Sequence, residues 1–185
     1  MSTAAIPKVQ GRTTRIPVTA AERWQEYLEE APHDFYHNAA YHRFSEQNGA
    51  GLAFLAVYEE GERRLVWPYL LWPIGGLKGE GLYDVTSVYG YAGPLSMLPQ
   101  PDEAFLLRAF RGMAGLWRDQ GVVSVFTRFH PLLENHRLSL GASGLLQQGE
   151  TISIDLPQTA ESIWENYRKS LRRDIRIARE GGLVV

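Results

Sequence analysis

Apolar residues near the end of the chain recur with the period of a helix. From Thr159 onward they come at spacings of three and four, which places them on one face of an amphipathic helix: Trp164, Tyr167, Leu171, Ile175 and Ala178. The Thr159 hydroxyl can cap the first turn, and Gly181 and Gly182 can supply the left-handed residue that ends a helix. The pattern therefore predicts one continuous helix, followed by a short strand at residues 183–185.

The same periods predict the other elements. Helices are expected at residues 19–31, 38–48 and 103–120, the last capped by Asp102. Two apolar runs flank a Glu-Gly-Glu turn and predict a hairpin, at residues 52–59 and 64–74. Pro68 and Pro73 favour an edge or a bulge for the second run, because proline cannot donate to a ladder. Further strands are predicted at residues 122–129, which look buried, and at residues 150–156, which alternate.

The order of these elements predicts the fold class α/β in its α+β form. We expect a mixed, largely antiparallel sheet flanked by helices. The length of 185 residues indicates a single domain. We assign it to residues 15–185 and interpret residues 1–14 as a flexible arm.

Composition removes several classes of chemistry. The chain has no cysteine, which excludes disulfides, thiolate zinc sites and cysteine nucleophiles, and fits a cytoplasmic location. No apolar run reaches the roughly 20 residues that a membrane-spanning helix needs, so no span is expected. Residues 1–14 lack the apolar centre of a secretory signal.

Charge is concentrated in the predicted last helix. Between Arg168 and Arg179 lie six basic residues and one acid, Asp174, a net +5 in a chain of net −2. The rest of the chain therefore carries −7. A basic helix on an acidic body indicates a local site for an anion. The alternative is a solvated helix face that pairs with acids such as Glu165 and Glu180.

A polar cluster follows the predicted strand at residues 122–129. His130 and Glu134 are candidate general bases by residue type, although a histidine before a proline at a strand end is commonly structural. The other four histidines are scattered and form no metal-binding pattern with the carboxylates. The glycine-rich residues 75–81 favour a flexible connection over a phosphate cradle, because no Lys-Ser or Lys-Thr and no helix follow them.

Four segments together resemble the Fem family, the aminoacyl transferases that build peptidoglycan cross-bridges and their acetyltransferase-like relatives. In chain order they are FYHNAAYHRF, YGYAGPLS, RFHPLLEN and SLRRDIRIAREGGLVV. The resemblance covers residues 33–185.

The resemblance implies a fold of two GNAT-like lobes, of which this chain would hold the first and the start of the second. It implies an anionic acceptor, a nucleotide- or lipid-linked muropeptide, whose diphosphate is held by basic side chains. By motif position Arg172 matches the phosphate-binding arginine, with Arg173 and Arg176 beside it. Tyr91 and Arg43 lie near substrate-contacting positions. The donor would be aminoacyl-tRNA, handled by the missing lobe, with no tightly bound cofactor.

Two alternatives remain open. The chain could be a stand-alone acetyltransferase that uses acetyl-coenzyme A, but such enzymes cradle the pyrophosphate with a Gln/Arg-x-x-Gly-x-Gly/Ala turn at a helix start. The nearest match, RLSLGA at residues 137–142, has its glycine one place late. The chain could also be a non-catalytic binding module that forms a homodimer through the strand at residues 183–185.

Overall fold

Two neighbouring strands with both faces buried form the centre of the sheet in the computed structural model. They are β2 (Leu52–Glu60) and β3 (Arg63–Pro73), paired antiparallel with Leu55 opposite Pro68. Their apolar runs are nearly continuous because helices cover both faces of the sheet. The predicted hairpin is confirmed.

Four further strands complete a six-stranded sheet. Its order is β1-β2-β3-β4-β6, and β5 pairs separately with β3. All pairs are antiparallel except β4 with β6, which is parallel. The predicted α+β class, with a largely antiparallel sheet, is therefore confirmed. The added strands are β1 (Arg12–Pro17), β4 (Tyr83–Thr86), β5 (Leu95–Ser96) and β6 (Val122–Val125).

Helices pack on the two faces of this sheet. The buried residues of α1 (Ala21–Glu29) and α2 (Ala39–Gln47) pack against one face of the sheet. Leu55 and Val57 of β2 lie on this face. The helix α3 (Glu103–Asp119) covers the other face, and the Asp102 carboxylate caps it by accepting from the Phe105 amide at 2.8 Å. Successive residues of β2 enter opposite cores, as strand geometry requires.

Pro68 lies in the central strand β3 and not at an edge, so that prediction is wrong. On the side away from β2, β5 pairs with Leu65 and Val66, and β4 pairs with residues from Leu70 onward. Residues 67–69 lie in the interval between these two short strands. A proline fits there because β3 needs no donor toward that side.

The structure describes residues 11–75, 81–97, 101–140 and 144–183. Their contacts group the chain into two compact units, the first ending at Leu146 and the second beginning at Gln147. The sheet and α1–α3 belong to the first unit. The single lobe over residues 15–185 stays a prediction.

The second unit contains two helices where the sequence predicted one. They are α4 (Ala160–Asn166) and α5 (Lys169–Glu180), separated by extended backbone at Tyr167 and Arg168. The Tyr167 amide donates to the carbonyl of Trp164, three residues earlier, at 3.3 Å, and this bond closes the last turn of α4.

Both ends of the predicted helix are confirmed. Thr159 caps α4 by accepting from the Ser162 amide. At the other end, Gly182 has φ +84°, and the Leu183 amide donates to the Ala178 carbonyl in a Schellman arrangement.

Three further boundaries differ from the predictions. The arm assigned to residues 1–14 overlaps β1, because Arg12–Thr14 already pair with β2. The strand β6 is shorter than predicted and largely exposed, since it is the edge of the sheet. Residues 150–156 form no strand with any segment that the structure describes. An alternating pattern is the same in a paired and an unpaired segment, so it does not determine pairing.

The predictions at residues 76–80, 141–143 and 184–185 lie outside the described residues.

Candidate functional site

A short 3₁₀ turn after α1 contributes the first part of the candidate site. It spans Phe35–His37 and is preceded by Asp34, in the segment that leads into α2. The fully buried indole of Trp24 on α1 donates to the His37 carbonyl at 3.0 Å. This bond fixes the turn to the core and sets the position of the aromatic residues that it carries.

His130 connects this turn to the segment after β6. Its Nε2 lies 3.1 Å from Oδ2 of Asp34, and its Nδ1 accepts from the amides of Leu132 and Leu133 at 3.2 Å each. Because Nδ1 accepts, Nε2 carries the proton and donates to Asp34. Both ring nitrogens are thus engaged, and the ring is only 5% exposed. This geometry makes His130 a structural link and does not support its role as a general base.

Asn135 adds a third segment to the same assembly. Its Oδ1 accepts from the His130 amide and its Nδ2 donates to the Ala92 carbonyl, both at 2.7 Å. Asn135 is almost fully buried. A buried amide that satisfies two backbone groups holds their loops in one arrangement, because either group would otherwise be unpaired.

An aromatic cluster lies over these links. Tyr36 is its centre, with ring centroids 4.0 Å from Phe35, 5.9 Å from Tyr41 and 5.9 Å from Tyr91. The Tyr91 ring also lies 6.3 Å from His130. Beside the cluster, the Tyr41 hydroxyl donates to the carbonyl of Tyr89, whose own ring is 85% exposed. We call Phe35, Tyr36, Tyr41, Tyr89 and Tyr91 the aromatic surface.

The five side chains of the aromatic surface are uncharged, and they combine apolar rings with four hydroxyl groups. Burial, with a smaller contribution from the Asp34 charge, raises the pKa of Tyr36, so its hydroxyl stays protonated and able to donate at neutral pH. Phe35 is 52% exposed and Tyr91 is 37% exposed. Exposed rings with hydroxyl groups contact the faces and the polar edges of a ligand at once.

The Gly90→Ala variant should lose stability and disturb the aromatic surface. Gly90 has φ +112°, and a Cβ there would lie 2.1 Å from Cε1 of Tyr36. We expect a loss of about 1–3 kcal/mol from the backbone strain, with a further loss from displacing Tyr36. Denaturant unfolding measures the change. Gly49→Ala is the matched control, because Gly49 also has positive φ but open space around it. An equal loss in both variants would contradict the close packing against Tyr36.

Two other predicted residues lie apart from this cluster. Glu134 has left-handed backbone with φ 48°, and its carboxylate pairs with Arg137 at 2.8 Å. Arg43, on the exposed side of α2, donates to the Val18 carbonyl at 3.4 Å. The structure therefore joins Tyr91 with His130 but brings neither Glu134 nor Arg43 into the cluster.

The predicted phosphate-binding arginines lie on α5 in the second unit. Arg173 lies 3.5 Å from Asp174, and Arg176 and Arg179 each lie over the Trp164 ring at 5.9 Å. Arg172 is half-buried on the same helix. Spacings of four and three put Arg172, Arg176 and Arg179 along one face.

Sequence reasoning missed Asp34, Tyr36, Tyr41 and Asn135. The first of these was interpreted as part of a linker, and its partner His130 is 96 residues away. The available signal was the density of aromatic residues in FYHNAAYHRF and YGYAG. A hollow on the outer face of α3 is formed by one helix alone, and it is lined by Leu107, Phe110, Arg111, Ala114 and Arg118.

Comparison with known proteins returns no match: no family model, no curated protein and no solved structure matches the chain. Within the described residues, no group of three or more histidines and carboxylates is placed to hold a metal ion. None of the helices in this part of the chain has the length and apolarity to cross a membrane.

Proposed function

We propose that the chain contributes the acceptor-binding, GNAT-like lobe of a Fem-type acyl or aminoacyl transferase. The acceptor would be a phosphate-bearing cell-wall precursor or a related anionic molecule, free or lipid-linked. The acyl donor would be aminoacyl-tRNA, handled by a second lobe that also completes the catalytic machinery. The absence of cysteine fits a cytoplasmic enzyme.

The convergence of three motif segments carries this proposal. FYHNAAYHRF supplies Tyr36, YGYAGPLS supplies Tyr91, and RFHPLLEN supplies His130; these three rings lie within 6.4 Å of one another. The segments were identified by resemblance alone, and they begin at residues 35, 89 and 128 of the sequence. Their meeting on one surface is what a shared substrate-contacting role predicts.

The proposed roles follow from side-chain chemistry. The aromatic surface, including Tyr91, would contact the neutral sugar or peptide part of the acceptor. Arg172, Arg173 and Arg176 would hold phosphate oxygens, because a guanidinium stays charged and donates two parallel bonds. Acyl transfer then requires that the acceptor amine be held near the donor ester.

Titration of the chain with a uridine-diphosphate muropeptide, followed by calorimetry, tests the proposal. We expect binding of the muropeptide and none of coenzyme A. Arg172→Ala should weaken binding by about 1.5–3 kcal/mol, the usual contribution of a charged hydrogen bond. Tyr91→Ala should also weaken binding through loss of the ring. Arg111→Ala, which removes an exposed arginine from α3, is the control.

Each other outcome is decisive. Binding of coenzyme A alone would support the acetyltransferase alternative. Binding of neither ligand, with a mass that depends on concentration, would support the dimerising module. Equal affinity of Arg172→Ala and the unchanged chain would remove Arg172 from the site.

A further inference from the structure

The helix α5 presents a nearly unbroken basic face. Its cations recur at spacings of three and four, which places them on one arc of the helix: Lys169, Arg172, Arg173, Arg176 and Arg179. All except Arg172 are exposed, and the side chain of Arg173 is 75% exposed. Asp174 is the only acidic residue between Lys169 and Arg179.

An apolar stripe runs beside the basic face. Leu171, Ile175 and Ala178 recur at spacings of four and three, and none of them is buried. Leu171 is 37% exposed, and Leu183 just beyond the helix is 64% exposed. A basic face next to an open apolar stripe is the pattern of a helix that lies in the plane of a membrane interface.

The structure assigns α5 to the surface of an anionic lipid bilayer, and we propose that this helix is a peripheral membrane-binding element. Its cations would contact lipid phosphates while Leu171 and Ile175 enter the headgroup region. The remaining chain carries −7, so an anionic surface repels it and attracts only the segment around α5. The charge distribution therefore favours α5 as the element that contacts the bilayer.

Two observations favour lipid over nucleic acid. The Trp164 ring, which could stack on a base, is already covered by the guanidinium groups of Arg176 and Arg179. The apolar stripe would bury no apolar area against a phosphate backbone, whereas it does bury such area at a bilayer interface. The test must therefore distinguish binding to lipid from binding to nucleic acid.

Sedimentation of the full chain with vesicles tests the inference. We expect binding to vesicles of phosphatidylcholine with phosphatidylglycerol, weakened by salt, and no binding to pure phosphatidylcholine. The variant R173Q/R176Q/R179Q should weaken binding on the order of a hundredfold, from the usual attraction per cation. K169Q/R173Q changes no residue that touches Trp164 and should weaken binding about thirtyfold. It keeps the test valid if the triple variant does not fold.

The matched control removes three exposed arginines from the first unit, as R12Q/R111Q/R118Q, and should leave vesicle binding unchanged or only slightly weaker, because these cations lie outside α5. Equal binding of all variants, equal binding to neutral vesicles, or binding to single-stranded RNA without binding to vesicles would overturn the inference. The inference goes beyond acyl transfer, and the vesicles contain no muropeptide, so its failure would leave the proposed function untouched.

Discussion

Acidification from pH 7 to pH 4 is expected to lower the free energy of unfolding by roughly 6 kcal/mol, because two neutral histidines lie in the core. His37 and His42 are both fully buried. Burial lowers the pKa of each to about 4 from an ordinary value of 6.5. The nearby His130 ring adds to the lowering of the pKa of His37, and His37 adds to that of His42.

The sign follows from proton uptake. Between pH 6.5 and pH 4 the unfolded chain binds a proton at each histidine and the folded chain does not. Stability from these groups is therefore fully present above pH 6.5 and is lost as the pH falls toward 4. Each histidine contributes about 3 kcal/mol to the loss, since one pKa unit corresponds to 1.36 kcal/mol. The Nε2 atom of His42 has no hydrogen-bond partner among the described residues, so a proton there would find no acceptor.

Denaturant unfolding at several pH values measures this loss. H37Q/H42Q should flatten the profile between pH 6.5 and pH 4, even if it is less stable at pH 7. His33→Gln, which removes an exposed histidine, should leave the slope unchanged. An unaltered slope in H37Q/H42Q would assign the acid sensitivity to other groups.

The sequence was sufficient to predict those elements whose structure is decided by burial on both faces or by local capping. The β2–β3 hairpin could be predicted because its apolar runs are long and a short turn separates them. The helix α3 could be predicted because its cap and its inward residues are encoded locally. These elements establish the α+β class without any long-range information.

The other features of the fold and the site depend on long-range contacts, which the periodicity of the sequence does not record. The exposure of β6 is decided by what pairs beyond it, not by its own apolar residues. The candidate site could be predicted only in part, because Asp34 and His130 are brought together by the fold. Tyr91 was assigned by motif position, whereas Tyr36, which packs closely against Gly90, was indicated only by the density of aromatic residues in its segment.

The Trp24→Ala variant should lose about 3–5 kcal/mol of stability, the usual cost of removing a buried indole from a core. Trp24 is fully buried, its ring lies 5.1 Å from that of His42, and its N–H is the donor to the His37 carbonyl. Removing the indole should also loosen the turn that carries Tyr36. The muropeptide binding that we propose should therefore weaken together with the stability. Denaturant unfolding and calorimetry measure the two effects.

Trp24→Phe separates packing from hydrogen bonding at the same position. Phenylalanine keeps an apolar ring but leaves the His37 carbonyl without its indole donor, which should cost about 1–3 kcal/mol. This variant gives the measurement if Trp24→Ala does not fold. Trp72→Ala is the matched control, because Trp72 is 45% exposed near the end of β3 and should cost far less. A similar cost for Trp24→Ala and Trp72→Ala would mean that Trp24 does not anchor the turn, because an anchoring indole cannot be removed as cheaply as an exposed one.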